Sequence, residues 1–509
     1  MKFIKKEKIV ERAYQKNIFE SVKDENSLVV LPTGLGKTMI SILVIDYRLN
    51  KYPGTKALFM APTKPLIDQH YRTFADFTTF DVGIVSGTVS PKKRKDVYEG
   101  FQVIFATPQT IENDIRNGII DLSDFSSLVV DEAHHSIGNY SYVYVVKEFL
   151  EKSKYPHVLA LTASPASDSE KIKTICKNLG INKIEIRSET DPDVTPYVKS
   201  KIIEEIEVDL PDYLLSVVNS VKRLINTYID ELKAVGLFKD TPNSRINRKT
   251  LLMMQKNMQS QMAHGNRAVY VIRGIITISK ILKLYHLLDL LSTQSVSAGK
   301  KFISKLLEGT AKSDKELSHS IEFKAISEMV DDLVSKGLEN PKMEEVRRIL
   351  QRELLDGKKA IVFTQYRDNV DAIFEKVKDL PNVSASKFIG QAGNGLSQQE
   401  QANIIRDFEA GVYNVIISTS VSEEGMSIKG ADIAIFYETI PSAIRSIQRK
   451  GRVGRYDTGK IYILIVKGTS DQGYYWVSLQ RERRMRKIIK KIQENPSSLK
   501  YDGTLGPFT

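Results

Sequence analysis

The chain has 509 residues but only one cysteine and no long hydrophobic run. Cys176 can form neither an intrachain disulfide nor a cysteine-based zinc site, and its apolar neighbours predict a small core residue. No stretch of about 18 consecutive apolar residues occurs, so we expect no membrane-spanning helix. The first eight residues include four lysines and lack the apolar stretch of a secretory signal peptide. Together these absences predict a cytoplasmic protein.

Histidine is also scarce, with seven residues in the chain. Five of them are scattered without the spacing of metal ligands, so they predict no metal site: His70, His157, His264, His286 and His319. Acidic residues are outnumbered, because 62 Asp and Glu stand against 74 Lys and Arg, for a formal charge of +12. This excess favours a polyanionic partner, nucleic acid first, although many equally basic soluble proteins bind none.

One glycine-containing segment carries the chemistry of phosphate binding. It begins at Leu31, after an apolar run that predicts a strand, and reads Leu-Pro-Thr-Gly-Leu-Gly-Lys-Thr. Gly34 and Gly36 allow a tight turn whose backbone N–H groups point at phosphate oxygens. Lys37 would reach the β- and γ-phosphates of a nucleoside triphosphate, and Thr38 would bind Mg²⁺. Leu31 replaces the first glycine of the usual pattern, at a position that closes the strand and need not contact phosphate.

An acidic segment about ninety residues later supplies the carboxylates that the loop lacks. The apolar run Leu128–Val130 predicts a second buried strand, and Asp131 and Glu132 follow it directly. In such a site Asp131 binds the metal ion and Glu132 acts on the attacking water. The loop alone is a weak signal, because a glycine turn with an incidental lysine is common. Both segments in this order predict a site that binds ATP with Mg²⁺ and hydrolyses it.

Short β-branched runs alternate with helical patterns up to about residue 200, which predicts a doubly wound parallel sheet. The predicted strands are Leu28–Leu31, Ala57–Met60, Val82–Val85, Val103–Ala106, Leu128–Val130 and Val158–Leu161. The alternation returns later, with predicted strands at Ala360–Thr364, Val415–Ser418, Ile433–Tyr437 and Ile461–Val466. We therefore predict two α/β domains, residues 1–200 and 335–470.

Residues 201–334 differ, because apolar side chains recur there at spacings of three and four and no strand alternation is evident. Helices are predicted near Leu214–Leu232, Ala268–Leu291, Phe302–Leu307 and Ile321–Leu333. Between residues 210 and 330 the chain carries 18 Lys and Arg against 10 Asp and Glu. We predict an all-helical insertion with a basic face that binds nucleic acid.

Residues 471–509 predict a basic helix followed by a tail. Seven of the residues from Arg481 to Lys491 are Lys or Arg, so this helix is either a solvated face or one that tracks phosphate. Three aromatic residues precede it: Tyr474, Tyr475 and Trp476. They either pack the helix on the second domain or stack on a base.

A further basic segment in the second α/β domain reads Gln-Arg-Lys-Gly-Arg-Val-Gly-Arg, from Gln448 to Arg455. Arg452 and Arg455 are three residues apart and could both reach a γ-phosphate held by the first domain, while Gln448 could orient water or phosphate. An arginine delivered across a cleft stabilises transition-state charge and makes hydrolysis depend on closure. The alternative is a basic helix face, which Gly451 and Gly454 disfavour because glycine destabilises a helix.

In this order the segments resemble the motifs of superfamily 2 helicases with a DEAH-type box. Nine segments carry the resemblance: Arg12–Gln15, Leu31–Thr38, Ala61–Leu66, Ala106–Gln109, Asp131–His134, Thr162–Ser164, Phe363–Tyr366, Ser418–Gly425 and Gln448–Arg455. The chain is most similar to the archaeal Hef helicases and the Fanconi anaemia M translocases, because of the doubled His134-His135, the helical insertion, and Tyr475-Trp476 before a basic helix. The resemblance implies two RecA-like domains with the insertion between them.

The resemblance also implies roles for individual residues, with Asp131 as metal ligand and Glu132 as general base. The implied nucleotide-binding residues are Arg12, Gln15 (at the adenine), Pro32, Thr33, Gly34, Leu35, Gly36, Lys37 and Thr38. Those implied to couple hydrolysis to movement are His134, Thr162, Ser164, Glu424 and Gly425. Those implied to contact a nucleic-acid backbone are Pro62, Thr63, Lys64, Gly87, Thr107, Gln365 and Thr419. Small hydroxyls and loop N–H groups suit phosphate contacts, although each threonine alone could equally be a helix cap.

The chain departs from the family in two places. Ser427 stands where the family usually has an aspartate; a serine hydrogen-bonds but cannot form a charge-assisted bond. Many Hef proteins carry a C-terminal nuclease with clustered acidic residues after Glu-Arg-Lys, and Arg481–Met485 has no such cluster. Either this member lacks the nuclease or that part has been removed, which makes a separate nuclease or a sliding clamp a candidate partner.

We therefore predict an ATP-dependent DNA helicase or translocase that acts on branched DNA, such as forks and junctions, in repair or in restart of stalled replication. In a prokaryote it would be associated with the nucleoid. Three alternatives stay open: an RNA-stimulated ATPase of the Dicer type, a translocase that remodels branches without unwinding, and a scaffold without enzymatic activity. The intact Lys37, Asp131, Glu132 and Arg455 argue against the scaffold.

Overall fold

The computed structural model describes most of the chain. The described residues are 2–166, 168–198, 201–239, 241–265, 268–354, 357–390, 395–419, 431–439 and 459–494. They form two parallel β-sheets flanked by helices, with a block of helices between the two domains in sequence. The predicted fold class, α/β with an all-helical insertion, is confirmed.

The first domain is built on a seven-stranded sheet. Its strands are β1 (Ser27–Val30), β2 (Lys56–Met60), β3 (Val82–Val85), β4 (Val103–Ala106), β5 (Phe125–Val130), β6 (Val158–Thr162) and β7 (Lys183–Ile186). They lie in the order β3-β4-β2-β5-β6-β1-β7 and every pair is parallel. The helices are α1 (Ala13–Val22), α2 (Lys37–Lys51), α3 (Lys64–Phe77), α4 (Pro91–Gly100), α5 (Pro108–Arg116), α6 (Ser141–Lys152) and α7 (Ser169–Asn178).

The helices cover both faces of this sheet, and each face has its own hydrophobic core. All residues of β1, β4, β5 and β6 are buried. Burial on both faces is why these strands read as continuous apolar runs rather than as alternating patterns.

The described secondary-structure elements of the insertion from Asp212 to Ser335 are all helices. Its helices are α8 (Asp212–Ala234), α9 (Arg248–Ala263), α10 (Val269–Asp289), α11 (Val296–Leu307), α12 (Lys312–His319) and α13 (Ile321–Ser335), with a π-helical turn at Leu290–Gln294. They share one hydrophobic core, separate from those of the two sheets.

The second domain is built on a six-stranded sheet. Its strands are β8 (Lys201–Val208), β9 (Ala360–Phe363), β10 (Ala385–Phe388), β11 (Val415–Ser418), β12 (Ile433–Phe436) and β13 (Gly459–Val466). They lie in the order β10-β11-β9-β12-β13-β8, again all parallel. Its described helices are α14 (Pro341–Glu353), α15 (Arg367–Val377), α16 (Gln398–Ala410) and α17 (Ser470–Glu494).

Strand β8 corrects the predicted start of the insertion. Residues 201–208 were expected to open the helical block, but they pair with β13 over its whole length and form one edge of the second sheet. The segment reads Lys-Ile-Ile-Glu-Glu-Ile-Glu-Val and is largely exposed. Charged side chains are typical of an edge strand, because they discourage further pairing, and they remove the apolar run that a strand prediction needs.

The C-terminal helix α17 contacts both domains. Tyr475 lies in a core of the second domain and its hydroxyl hydrogen-bonds to the carboxylate of Glu205. Near the other end, Ile488 packs against a core of the first domain. Tyr475 therefore packs the helix on the second domain, one of the two roles expected for the aromatic cluster, whereas Trp476 is 53% exposed.

Among the described helices, none combines the length and the apolar character that crossing a membrane requires.

Candidate active site

The carboxyl edge of the first sheet collects the residues of the glycine-containing and acidic segments. Because the strands are parallel, their carboxyl ends lie along one edge, which is where such sheets bind ligands. The loop 31–38 follows β1, Asp131 follows β5, and Thr162 ends β6. These three strands are neighbours in the order β5-β6-β1. Segments far apart in the sequence therefore meet at one place.

The loop after β1 has the geometry of an anion site. Gly34 and Gly36 have φ angles of +86° and +77°, in the left-handed region that glycine adopts without strain. Gly36 stands at the start of α2, where no side chain caps the helix in the described structure. The first N–H groups of α2 can therefore bind an anion, which the helix dipole also favours.

The segment Arg12–Gln15 holds this loop from one side. The hydroxyl of Tyr14 donates to the carbonyl oxygen of Leu35 at 2.6 Å, and Nε2 of Gln15 donates to the same oxygen at 3.2 Å. Nη1 of Arg12 in turn donates to the Tyr14 hydroxyl at 3.1 Å. Arg12 and Gln15 thus lie beside the phosphate loop, while the contact of Gln15 with adenine stays a prediction.

Lys37 is folded over the start of the loop. Its Nζ donates to the carbonyl oxygen of Leu31 at 3.1 Å. Leu31 itself continues the sheet, since its N–H donates to the carbonyl oxygen of Thr162 at 3.1 Å. Leu31, which replaces the usual glycine, therefore continues the strand β1 by one residue. The Lys37 ammonium lies at the start of the loop, where phosphate is expected.

A histidine joins the two predicted metal ligands. His70 lies on α3 and is 5% exposed. Its Nδ1 is 3.1 Å from Oγ1 of Thr38, and its Nε2 is 2.9 Å from Oδ2 of Asp131. A carboxylate only accepts, so Nε2 carries a proton, and in the neutral ring Nδ1 accepts from the Thr38 hydroxyl. This assignment leaves the lone pairs of Thr38 available to a cation.

His70 corrects one expectation, because it belongs to this site rather than to a set of scattered histidines. Thr38 and Asp131 lie 32 and 61 positions away in sequence, so no spacing rule points to it. The one available signal is its place on the helix that follows Thr63 and Lys64, at the same edge of the sheet.

Glu132 combines an unusual backbone with an unsatisfied carboxylate. Its φ angle is +50°, a region that costs a residue other than glycine about 1 kcal/mol or more. Its Oε2 is buried with no hydrogen-bond partner among the described residues, although Nδ1 of His134 is 3.3 Å away. Burial alone would raise the pKa of Glu132, but the neighbouring His134 and the charge of Lys37 outweigh it and lower the pKa to about 2. Glu132 is an ionised acceptor with one oxygen open to a ligand.

The residues expected to couple hydrolysis to movement touch one another in the first domain. Nδ1 of His134 is 3.3 Å from Oγ1 of Thr162, and the N–H of Ser164 donates to the same hydroxyl at 3.2 Å. The loop after β5 is thereby linked to the loop after β6. Glu424 and Gly425, the other two residues of this set, lie outside the described residues.

The remaining part of the same edge carries residues expected to contact nucleic acid. Pro62–Lys64, Gly87 and Thr107 follow β2, β3 and β4, which are neighbours in the order β3-β4-β2. Thr63 precedes α3, yet its hydroxyl makes no capping bond and is buried without a partner among the described residues. Thr107 bonds to the hydroxyl of Thr110 at 3.0 Å. The alternative of helix caps is thus not supported by a capping bond at either threonine.

The other two residues expected to contact nucleic acid, Gln365 and Thr419, lie at the carboxyl edge of the second sheet. Gln365 follows β9, and its N–H donates to Oε2 of Glu438 at 3.0 Å. Thr419 follows the neighbouring β11, and its N–H donates to the carbonyl oxygen of Phe388 at 3.1 Å. The predicted catalytic residues of this domain, Gln448, Arg452 and Arg455, lie outside the described residues.

A buried polar network, which no sequence motif indicates, joins the insertion to this edge. The hydroxyl of Tyr437 donates to the carbonyl oxygen of Gln294, in the π-helical turn, at 2.6 Å. Nζ of Lys342 is 2.8 Å from both Oδ2 of Asp471 and the carbonyl oxygen of Tyr437, and the side chains of Lys342 and Asp471 are 0% and 3% exposed. Asn369 donates to the side chains of Gln294 and Glu438. The bonds of Gln294 fix the helical insertion to the second domain, whereas Lys342 holds Tyr437 and Asp471 together within that domain.

The first-domain site fits a nucleotide with Mg²⁺. Thr38 and Asp131 offer the hard oxygen donors that this ion prefers, and His70 holds both of them at one point. The open N-terminus of α2 suits phosphate, and the buried Oε2 of Glu132, whose described polar neighbour is His134 at 3.3 Å, suits a water molecule. The arrangement can bind a triphosphate and activate water for attack on it.

Comparisons with known proteins give family matches over most of the chain. Residues 8–167 match the family described as the res subunit of type III restriction enzymes, and residues 341–457 match the helicase conserved C-terminal domain. Residues 215–336 match a family described as the helical bundle of a putative ATP-dependent RNA helicase.

Individual relatives match across nearly the whole chain. The crystal structure of the Hef helicase domain from Pyrococcus furiosus is 40% identical, with a TM-score of 0.72, over 94% of this chain and 100% of that one. A putative ATP-dependent RNA helicase of Methanocaldococcus jannaschii is 37% identical over 96% of this chain and 62% of its own length. The ATP-dependent DNA helicase Fml1 of Schizosaccharomyces pombe is 31% identical over 95% of this chain and 59% of its own length. The chain thus spans less than two thirds of these two curated relatives.

Proposed function

Because the chain belongs to the superfamily 2 helicases of the Hef and Fanconi anaemia M type, we propose that it is an ATP-dependent motor that moves on DNA. Its substrate is branched DNA, such as a fork or a junction, in repair or in restart of stalled replication. DNA rather than RNA is favoured by the relative named as a DNA helicase in Schizosaccharomyces pombe.

One observation carries the proposal: Lys37, Thr38, Asp131 and Glu132 converge at one edge of a parallel sheet, and the buried Oε2 of Glu132 has only Nδ1 of His134, at 3.3 Å, as a described polar neighbour, without good hydrogen-bond geometry. This oxygen is under-bonded for a buried carboxylate, and an unsatisfied buried acceptor costs about 1–3 kcal/mol. A ligand that donates a hydrogen bond to this oxygen removes that cost. The attacking water of ATP hydrolysis is such a ligand.

Each residue of the site then has a part in hydrolysis. The N–H groups of α2 and the ammonium of Lys37 hold the phosphates. Thr38 and Asp131 would hold Mg²⁺, which supplies charge neutralisation at the phosphate oxygens when it is bound. Glu132 orients the water and takes its proton, and His134 passes the change in charge to Thr162 and the loop after β6.

Arg452 and Arg455 complete the site from the second domain in this proposal. Closure of the two domains would bring their guanidinium groups to the γ-phosphate, where an arginine is worth about 10³–10⁵ in rate. Hydrolysis would thus occur only in the closed form and opening would follow it, which is how a motor converts hydrolysis into steps along a strand.

The DNA strand would lie across both carboxyl edges. In the first domain it passes Thr107, Gly87 and Thr63, and in the second it passes Gln365 and Thr419. These residues offer hydroxyls, amides and backbone N–H groups, which position a phosphate backbone without reading its sequence. The basic insertion, fixed to the second domain through the bonds of Gln294 to Asn369 and Tyr437, would hold the duplex part of a branch and move with that domain.

The experiment is the rate of ATP hydrolysis by the chain on a panel of single-stranded, duplex, forked and four-way DNA, each with an RNA counterpart. Lys37→Ala serves as the inactive control. We expect forked or four-way DNA to stimulate most and RNA to stimulate little. Equal or greater stimulation by RNA would support an RNA helicase, the second candidate, which is favoured by the name of the relative in Methanocaldococcus jannaschii.

A strand-displacement assay on the same forks separates unwinding from remodelling. Release of a labelled strand indicates a helicase. Stimulated hydrolysis with movement of a branch point but no strand release indicates a translocase that remodels branches. No hydrolysis on any nucleic acid would contradict the proposal altogether.

A further inference from the structure

A cavity of about 700 Å³ lies where the helical insertion meets the second sheet. Its walls come from α8, α9 and α10 of the insertion, from the loops after β8 and β13, and from the first turns of α17. It therefore opens at the carboxyl edge of the second sheet, the side on which parallel sheets bind ligands. None of its described lining residues belongs to the motifs that define the nucleotide site.

The lining combines aromatic rings with positive charge. Tyr285 and Tyr474 face the cavity from α10 and α17, above an aliphatic floor. The lining also carries three cations, Lys222, Arg248 and Lys467, and two carboxylates, of which Asp209 pairs with Lys467 at 3.1 Å and Asp289 pairs with Arg248. The guanidinium of Arg248 lies 5.9 Å from the ring centroid of Tyr285. Rings and cations together suit a flat aromatic ligand that carries negative charge.

Hydrogen bonds hold this lining in place. Nη1 of Arg248 is 2.7 Å from Oδ2 of Asp289, and the hydroxyl of Ser470 donates to the other oxygen of that carboxylate at 3.2 Å. The hydroxyl of Tyr285 donates to the carbonyl oxygen of Ile246 at 3.2 Å. The arginine and the ring are thus ordered before a ligand arrives, which lowers the entropy cost of binding.

The cavity adjoins the proposed path of the nucleic acid. Tyr366 follows Gln365 directly in sequence, and its side chain is 38% exposed. Burial of part of this ring raises the pKa of its hydroxyl, on which the charges of Asp289 and Arg248 also act. Tyr366, next to the backbone contact expected at Gln365, is therefore within electrostatic range of Arg248 and Asp289 in the wall of the cavity.

We propose that this cavity binds an unpaired nucleobase of the DNA, with the base against Tyr285 or Tyr474 and its phosphates near Lys222 and Lys467. The inference rests on the proposed function, since it takes DNA as the polymer. A base is favoured over an apolar protein side chain because the three cations of the lining outnumber its two carboxylates, and a phosphate-linked ligand uses that excess whereas a hydrophobic side chain does not.

Such a site would make the protein prefer forks to continuous duplex. Stacking accepts any base, because every base has an aromatic face, so the site holds unpaired nucleotides without reading their sequence. A blunt duplex has no unpaired base to offer. The cavity would then contribute to the recognition of branch points, where unpaired nucleotides occur.

A fluorescent base tests this directly. Forked DNA carries 2-aminopurine at each of about four unpaired positions next to the junction in turn, and a blunt duplex is the reference. Since stacking on tyrosine quenches 2-aminopurine, we expect the wild-type chain to quench it at one position or more. Tyr474→Leu and Tyr285→Leu should remove the quenching and weaken fork binding about fivefold or more. Their affinity for the blunt duplex should not change.

Two further variants serve as controls. Tyr285→Phe keeps the ring but not the hydroxyl, and should keep the quenching. Tyr270→Leu changes a tyrosine about 22 Å away on the same helix, 46% exposed, and should behave as wild type.

The inference is overturned if quenching persists in both leucine variants of the cavity. It is also overturned if the wild-type chain binds forks and hydrolyses ATP without quenching at any position, an outcome that leaves the proposed function intact. A wild-type chain that neither binds DNA nor hydrolyses ATP would overturn the proposed function and this inference with it.

Discussion

The two parallel sheets use their carboxyl edges in different ways. At the first edge, Oγ1 of Thr63, Oε2 of Glu132 and Oγ of Ser164 are buried without hydrogen-bond partners among the described residues. At the second edge, most buried polar groups are paired: Thr364 donates to Glu438 at 2.6 Å, and Lys342 bonds to Asp471 at 2.8 Å. Oδ1 of Asn369 is an exception.

The difference separates a site that awaits a ligand from a joint that is already complete. A buried polar atom without a partner lowers stability, so it persists where a ligand will later satisfy it. A fully bonded network instead holds two parts of a protein in one arrangement. By this criterion we propose that the first edge holds the catalytic site, whereas the second edge anchors the insertion. Four changes test this difference, from the largest expected effect to the smallest.

Glu132→Gln should have the largest effect. It removes the charge that draws the proton from water but keeps the shape of the side chain, so turnover should fall about 10²–10⁴-fold. ATP and DNA binding should be retained, because the phosphates are held by other groups. The measurements are phosphate release and binding of a fluorescent ATP analogue. Glu170→Gln, in the same domain, is the matched control, and undiminished hydrolysis in Glu132→Gln would remove Glu132 as the base.

Lys342→Met tests the joint at the second edge. It leaves the buried Asp471 carboxylate without its partner, which should lower the free energy of unfolding by about 3–5 kcal/mol. Chemical denaturation followed by fluorescence of Trp476, on the helix that begins beside Asp471, measures the loss. The double variant Lys342→Met with Asp471→Leu should regain most of it, because an apolar pair of similar volume is often as stable. A double variant no more stable than Lys342→Met would show that the ion pair is not what the joint depends on.

His70→Ala should weaken the binding of Mg²⁺–nucleotide about 10–100-fold, as loss of a group that orients metal ligands typically does. The expected cause is that Thr38 and Asp131 lose the side chain that holds both of them. Affinity for ADP with and without Mg²⁺ distinguishes this role from a general loss of folding, since only the metal-dependent part should change. His319→Ala, at an exposed histidine, is the control.

The comparison also shows what the sequence could reveal. The proposed site residues Lys37 and Asp131 follow apolar strands within recognisable motifs, so the sequence alone points to them, and it places ten of the strands to within about three residues. Strands β7, β8 and β10 were missed because they contain charged or polar residues in place of an apolar run. The joint was missed because its members, from Gln294 to Asp471, meet only in three dimensions.

A change at His157 should have the smallest effect of the four. It tests whether a buried atom without a partner marks a ligand site at any place in the first domain or only at the carboxyl edge. Its Nδ1 is also buried without a partner among the described residues, but it lies before β6, at the amino edge of the first sheet, where no ligand is expected. Burial lowers the pKa of His157 to about 4, whereas an exposed histidine has a pKa of about 6.5. The unfolded chain therefore binds this proton first, so the stabilisation is complete above pH 6.5 and is lost as the pH falls towards 4.

In His157→Gln, the free energy of unfolding should consequently change less with pH than in the wild type, by about 1 kcal/mol between about pH 7 and pH 5.5. Chemical denaturation at both pH values measures it, with the exposed His264→Gln as control. ATP hydrolysis at pH 7 should be unaffected, because the amino edge takes no part in it. Loss of hydrolysis in a folded His157→Gln variant would show that a buried atom without a partner does not single out the carboxyl edge of the first sheet. The strained backbone of Glu132 would then be the remaining observation that distinguishes that edge.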